Sequence, residues 1–304
     1  MFQLTKYDEV SSTNELVKAA LREGRVEGYA VSARTQSGGY GRRGHAWSSP
    51  EGGLYMSLLL RPRVESPLLS TLSLLVALAL RRAIAEFLPA HTCDTVQIKW
   101  PNDLVISAQS GTRFVSTAAN NLEQTQPAAC GNAQSLKQSC FGNESTGLIS
   151  SCGTRFVSTA ASSSGTFAKL SGISLESCAG GVCVGVGVNV FRPAEQDTFS
   201  LQGKNRAAYL EDLGFTGTID DACERILQVF EALYSLWQRD GIEPFLDEYA
   251  AHDALFEKDI YVLDDAGEIC AAGRARGIDT SGRLLVYTAP EVCKAVSSGE
   301  IHLA

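Results

Sequence analysis

The chain has 304 residues, 44% of them hydrophobic and 20% charged, which suits a globular protein with one large core or a main domain plus a small one. A net charge of −8 and a pI near 5.1 argue against a general nucleic-acid binder, which would carry a basic stripe, but leave room for a local basic pocket. Met1 to Glu9 has no apolar stretch of the secretory kind, and the longest mostly apolar run, 68–80, is too short to cross a bilayer.

In chain order, Ser12-Thr13-Asn14-Glu15 opens a helix, with Ser12 and Glu15 at capping-box spacing and Leu16, Val17, Ala20 and Leu21 as its apolar stripe. Gln36 to Trp47 packs four glycines, the adjacent Arg42 and Arg43, and a closing tryptophan into one loop. Glycine lets backbone N–H groups approach an anion, and paired guanidinium forks match carboxylate and phosphate oxygens. The loop is neither a Walker loop, which needs Gly-Lys-Ser/Thr, nor a dinucleotide fingerprint. Its alternative reading is a Gly-rich surface hairpin with solvated arginines. A helix is expected from Pro67 to about Phe87. Val96–Trp100 and Leu104–Ile106 read as strands around a turn at Pro101-Asn102-Asp103.

Residues 107–168 are rich in Ser, Thr, Asn, Gln and Gly, and the nine residues 111–119 recur identically at 153–161. Two weakly apolar copies cannot bury a core between them, so the segment reads as an insert between two strands that form a hairpin. Beyond it, Lys169–Glu176 and Gly181–Phe191 read as strands, the second apolar enough to be central. Ile219–Gln238 has strong helical periodicity. From about Asp259 the pattern changes to short strands at 260–262, 268–277, 284–287 and 301–303, a small β module. The nine cysteines are odd in number and lack Cys-x-x-Cys spacing, and the four histidines lie far apart. Reduced thiols in a cytoplasmic protein are expected, and structural zinc is not.

Taken together, Ser12-Thr13-Asn14, Gln36…Gly39-Tyr40-Gly41-Arg42-Arg43-Gly44…Trp47, Lys99-Trp100-Pro101-Asn102-Asp103, Lys169-Leu170-Ser171-Gly172-Ile173 and Gly185-Val186-Gly187-Val188-Asn189 resemble the biotin protein ligases. Arg276-Gly277-Ile278-Asp279 and Ser298-Gly299-Glu300-Ile301 are similar to that family's SH3-like module. The resemblance implies an α+β fold: a mixed sheet flanked by helices over 1–255, interrupted by the insert, followed by an SH3-like module at 256–304. Entry into the catalytic pattern at Ser11 implies the monofunctional type, without a DNA-binding winged helix.

The activity implied is formation of biotinyl-5′-AMP from biotin and ATP with Mg²⁺. Transfer to a lysine of the biotin carboxyl carrier domain of a biotin-dependent carboxylase would follow. Neither nucleic acid nor membrane is an expected partner. By the same resemblance, Ser12, Thr13, Asn14, Gln36, Gly39, Tyr40, Gly41, Arg42, Trp47, Lys169 and Gly172 would bind biotin. Arg42, Arg43, Asn102, Asp103 and Asn189 would serve the nucleotide, Asp103 would reach Mg²⁺, and Arg42 and Lys169 would be catalytic. A core tryptophan at 47, a solvated strand lysine at 169 and structural roles for Lys99 and Trp100 are the plainer readings. Tyr40 departs from the family, which commonly has arginine there, so its side chain cannot carry that charge. Two rival functions are a lipoate or octanoate transferase of the same fold and a non-catalytic biotin-binding homologue.

Overall fold

Strand and helix patterns resolve, in a computed structural model that describes residues 2–107, 167–193 and 206–304, into two sheets. In chain order the elements are β1 (Gln3–Val10), α1 (Thr13–Arg22), β2 (Tyr29–Gln36), β3 (Gly53–Leu60), α2 (Ser66–Leu69), α3 (Leu72–Ala85), α4 (Ala90–Cys93), β4 (Val96–Lys99) and β5 (Asp103–Ser107). Then come β6 (Phe167–Cys178), β7 (Gly181–Asn189), β8 (Arg206–Ala207), α5 (Ile219–Asp240), α6 (Leu246–Ala251), β9 (Asp259–Leu263), β10 (Ile269–Ile278), β11 (Leu284–Ala289), β12 (Val292–Val296) and β13 (Glu300–Leu303). The repeated segments at 111–119 and 153–161 lie outside the described residues.

The first sheet runs β1-β2-β3-β7-β6-β5-β4, mixed because β1 and β2 are parallel, with the short β8 beside β6. Its middle strand, β7, is the one whose apolar run marked it as central. Period two divides that strand cleanly. Val182, Val184, Val186 and Val188 enter the main core with α3 and α5, while Cys183, Gly185, Gly187 and Asn189 face the opposite side, against α1 and the glycine–arginine loop. β5 and β6 pair antiparallel, with Ser107 opposite Phe167, so the strands flanking the long intervening segment are the expected partners. The second sheet, β12-β11-β10-β9-β13, is wholly antiparallel and forms the C-terminal module. It is joined to the first unit by Trp100 Nε1, which donates to Gly282 O at 2.9 Å, and by Lys99 Nζ, which donates to Ile301 O at 3.1 Å.

Three local expectations are corrected. Ser12 is the N-cap of α1 with extended backbone, yet its side chain makes no capping bond, and the reciprocal half of the box is missing because the Glu15 carboxylate goes to Lys18 and Tyr40. The helix expected from Pro67 to Phe87 is broken at Ser70-Thr71, where Thr71 Oγ1 donates to Leu68 O and accepts from the Trp237 indole. The 66–85 stretch is long and apolar enough to cross a membrane by composition alone, but it is two-thirds buried and serves as a core element against α5. The C-terminal module has a further strand, β12, that the sequence pattern did not mark.

Candidate active site

The alternating glycines of β7 make a floor without side chains, and neighbouring polar groups fold over it. Thr13 N and Oγ1 both donate to Gln36 Oε1, at 2.8 and 3.1 Å, and Ser57 Oγ lies 2.7 Å from both Thr13 Oγ1 and Asn14 Oδ1. Asn14 Nδ2 donates to Ser174 Oγ at 3.2 Å and approaches Glu176 Oε1 at 3.3 Å. Gln36 Nε2 donates to Ser49 Oγ at 2.9 Å. A Cβ on Gly185 would stand 2.3 Å from Asn14 Oδ1, so only glycine admits this network. The result is an oriented set of amides and hydroxyls, suited to a flat polar ring whose own donors and acceptors need partners once buried.

The loop after β2 is a small hairpin. Trp47 N donates to Gly39 O at 2.9 Å and Gly41 N to His45 O at 2.8 Å, while Gly38 N reaches Ser11 O at the base. The N–H groups of Gly38, Gly41 and Gly44 are thus engaged within the fold rather than held out for an anion, which corrects the backbone-cradle idea. Gly39 is required by space: a Cβ there would meet Ser49 Oγ at 2.5 Å and Trp47 O at 2.7 Å. Trp47 lays its indole over Gly172 and Gly187, where a Cβ would come within 3.0 and 2.7 Å of the ring. Its indole N–H is buried without a hydrogen-bond partner among the described residues.

Beside Trp47 the charged groups converge. Lys169 Nζ sits 2.8 Å from Asp103 Oδ1 and 5.5 Å from the Trp47 ring centroid. Arg42 donates to Asn102 Oδ1 at 3.1 Å, and Asn102 Nδ2 anchors to Ile173 O at 2.8 Å. Burial, and the adjacent Arg43 charge, push the Arg42 pKa below its ordinary value. Its guanidinium is therefore under-compensated, a state that an incoming anion relieves. Asn189 Nδ2 and Ala208 N both bond Lys169 O, at 3.2 and 2.8 Å, and fix the backbone that carries the lysine. Lys99 is half-buried behind this cluster, which lowers its pKa, and it points to the C-terminal module.

The two residue families named from sequence therefore form one continuous groove. Thr13, Asn14 and Gln36 lie at its polar end, Gly39, Trp47 and Gly172 in the middle, and Arg42, Asn102, Asp103 and Lys169 at the charged end. Ser12 is buried beside them, and Gly41 serves the hairpin backbone. Two residues point elsewhere. Tyr40 turns onto α1, donating to Glu15 Oε1 at 2.8 Å, and Arg43 pairs with Asp265 of the C-terminal module. Sequence reasoning missed Ser57, Ser174 and Glu176, which are contiguous with the site only through the sheet, and the floor role of Gly185 and Gly187. That last role was readable, because glycine alternating with valine puts both on one face. Cavities of about 300 and 660 Å³ elsewhere, near Pro67 and Ser281, contain none of these residues.

A model of the biotin/lipoate A/B protein ligase family matches residues 7–128, and a model of the biotin protein ligase C-terminal domain matches 257–303. The chain belongs to the biotin protein ligase family. Among curated members of the family, the bifunctional ligase/repressor BirA of Salmonella typhimurium is 25% identical over 97% of this chain and 72% of its own length. The BirA of Bacillus subtilis is 36% identical over 35% of this chain, a match spanning only 32% of that relative. The biotin–[acetyl-CoA-carboxylase] ligase of Paracoccus denitrificans is 39% identical over 25% of this chain and 31% of its own length. The family fold is seen in the structure of biotin protein ligase from Aquifex aeolicus in complex with biotin and ATP. It superposes with a TM-score of 0.68 at 22% identity, covering 100% of this chain and 99% of that one.

Proposed function

We propose that the chain activates biotin with ATP to biotinyl-5′-AMP and transfers the biotinyl group to a lysine of a biotin carboxyl carrier domain. The observation that carries this reading is the groove itself. A polar cage at Thr13, Asn14, Gln36 and Ser57 is joined, across the Gly172–Gly187 floor, to a cationic end at Arg42 and Lys169. That order matches a ligand with a ureido ring at one end and a carboxylate at the other. It favours biotin over a lipoyl or octanoyl chain, which has no polar ring to pair with the buried Thr13, Asn14 and Ser57 and the half-buried Gln36.

In this mechanism Ser12, Thr13, Asn14 and Gln36 hold the ureido head, and Trp47 walls the rings. The hairpin backbone at Gly39, Tyr40 and Gly41 closes over them, while Gly172 leaves room for the chain. Arg42 and Lys169 neutralise the carboxylate and the α-phosphate, so the two like charges approach. The carboxylate oxygen then attacks the α-phosphorus and pyrophosphate leaves. Asp103 holds the Lys169 ammonium in position before substrate arrives. In the second step a neutral carrier amine attacks the acyl carbon, the amide forms and AMP leaves. Asn102 orients Arg42, and Asn189 orients Lys169, so both act on the nucleotide through these cations. Arg43, paired with Asp265, would serve the nucleotide indirectly, by holding the hairpin that carries Arg42. Among the described residues, Asp103 is the one carboxylate at the cationic end. Asp103 would be the residue to hold Mg²⁺, which would supply charge neutralisation at the phosphates.

The test is incubation with ATP, labelled biotin and a carrier domain, in parallel with lipoate and octanoate. Labelled carrier is the expected result with biotin alone. Labelling by the fatty acyl substrates would establish the transferase reading, and biotin binding without adenylate would establish a non-catalytic homologue.

A further inference from the structure

The hairpin from Gly38 to Trp47 is held over the groove by Trp47, by the Arg42–Asn102 bond and, at its base, by Gly38 N on Ser11 O. Residues 43–46 at its tip are exposed, and its internal rungs stiffen it without fastening it down. Side chains reaching outward fasten it further. On one flank the Tyr40 hydroxyl donates to Glu15 of α1 at 2.8 Å. Glu15 is itself fixed by Lys18 at 2.7 Å, and Lys18 is tied to the floor by Glu176 of β6 at 2.9 Å and lies 5.2 Å from the Tyr40 ring centroid. At the tip, Arg43 has left-handed backbone (φ 57°) and pairs with Asp265, in the turn between β9 and β10. That turn is rigid, because Asp264 Oδ1 accepts from Ala266 N and Glu268 N at 2.9 and 3.0 Å.

We propose that Glu15 and Asp265 are positioning residues that clasp the hairpin shut from two sides, and so set how long the activated adenylate stays in the groove. The retention half rests on the function proposed above. The clasp at Glu15 is built for permanence across the neutral range. Lys18 and then Tyr40 hold the Glu15 carboxyl below its ordinary pKa. Burial pushes Tyr40 up to about 12, so it remains a donor. Burial works against the Lys18 charge, but its bonds to Glu15, Tyr40 and Glu176 outweigh that and raise its pKa. The clasp at Asp265 is an exposed ion pair, weaker and sensitive to salt. It makes the C-terminal module part of the closure: a surface aspartate, 81% exposed and 222 residues away in sequence, acts on the loop that covers the ligand.

The test compares Glu15→Ala, Tyr40→Phe, their double variant and Asp265→Asn with the parent protein. Two rates are read: tryptic cleavage after Arg42 and Arg43 without ligand, and dissociation of biotinyl-AMP by chase. Glu15→Ala and Tyr40→Phe are each expected to raise both rates about three- to tenfold, and the double variant no further, since they break one bond from its two ends. Asp265→Asn is expected to raise both about twofold at low salt, with the difference vanishing at high salt. Unchanged cleavage and dissociation in these variants would overturn the proposal. Slower dissociation in Asp265→Asn would overturn it too, by showing that the aspartate competes with the ligand for Arg43. A parent protein that binds no adenylate would refute the functional reading and the retention half, while the cleavage rates would still judge the clasps.

Discussion

Replacing Gly185 with alanine adds one methyl group at the most crowded point of the groove. It would sit 2.3 Å from Asn14 Oδ1 and 2.5 Å from Ser174 Oγ, at least about 1 Å inside ordinary contact. Neither neighbour is the free end of a long chain. Asn14 is held by Ser57 and Ser174, and Ser57 by Thr13 as well. Overpacking of this kind costs about 1–3 kcal/mol. Displacing the Asn14 amide forfeits one or two buried hydrogen bonds, about 1 kcal/mol each. Restricting the unfolded chain returns about 0.4–1 kcal/mol. The balance is a loss of about 2–4 kcal/mol, which for a protein of this size lowers Tm by roughly 4–8 °C. The same displacement should weaken biotin binding about 5- to 30-fold, the equivalent of one lost or misdirected hydrogen bond. Differential scanning calorimetry and isothermal titration with biotin measure the two quantities. An alanine variant that melts and binds like the parent would refute the claim that a glycine-only floor holds Asn14 against the ligand.

Arg42→Gly should release biotinyl-AMP faster and label bystander lysines, because the fork facing its phosphate is gone; retention and carrier selectivity equal to the parent would contradict this. Lys169→Ala should slow pyrophosphate release far more than it weakens biotin binding, since its charge acts mainly as the transition state develops, and stopped-flow kinetics separates the two. Asp253, next to the C-terminal end of α6, is buried with one carboxylate oxygen unpartnered, and burial raises its pKa from 3.8 to about 6. The folded state therefore holds that proton more tightly than the unfolded one, so this contribution to stability is greatest below pH 3.8 and is lost as pH rises through about 6. Asp253→Asn should accordingly be about 1–3 kcal/mol more stable than the parent at pH 8, with the advantage shrinking toward zero near pH 4 in urea melts. Deleting 109–166 and joining the ends by a short glycine-containing turn should preserve melting and biotin transfer, because Ser107 and Phe167 already face each other in register; a folded but inactive product would show the deleted stretch to be functional.

Much of this architecture was legible where one physical signal dominated. Helical spacing marked α5, and a chain turn at Pro101-Asn102 marked the β4–β5 hairpin. Where signals conflict, the sequence is mute. β3 is buried on both faces, so its mostly apolar run, interrupted only by Ser57, has no period to read. β1 is an edge strand whose mostly exposed side chains show no clear alternation. At the break between α2 and α3, Thr71 accepts a hydrogen bond from Trp237, a partner 166 residues away that no local window includes. The site divides in the same manner. Motifs located Arg42, Trp47, Asp103 and Lys169, but Tyr40 and Arg43 turn toward Glu15, which the sequence marked only as part of a helix cap, and Asp265, which no motif contains.

The seat of Trp47 gives this protein a built-in optical probe. Of the three tryptophans, Trp100 and Trp237 lie in the core, with their N–H groups bonded to Gly282 O and Thr71 Oγ1. Only Trp47 stands in the groove, with its N–H unbonded among the described residues and a lysine ammonium 5.5 Å from its ring. Changes in intrinsic emission on adding a ligand will therefore originate almost entirely at one indole. Quenching by iodide or acrylamide will report whether that indole is covered. Occupancy of the groove can thus be followed in unlabelled protein, with no engineered dye and no coupled reaction.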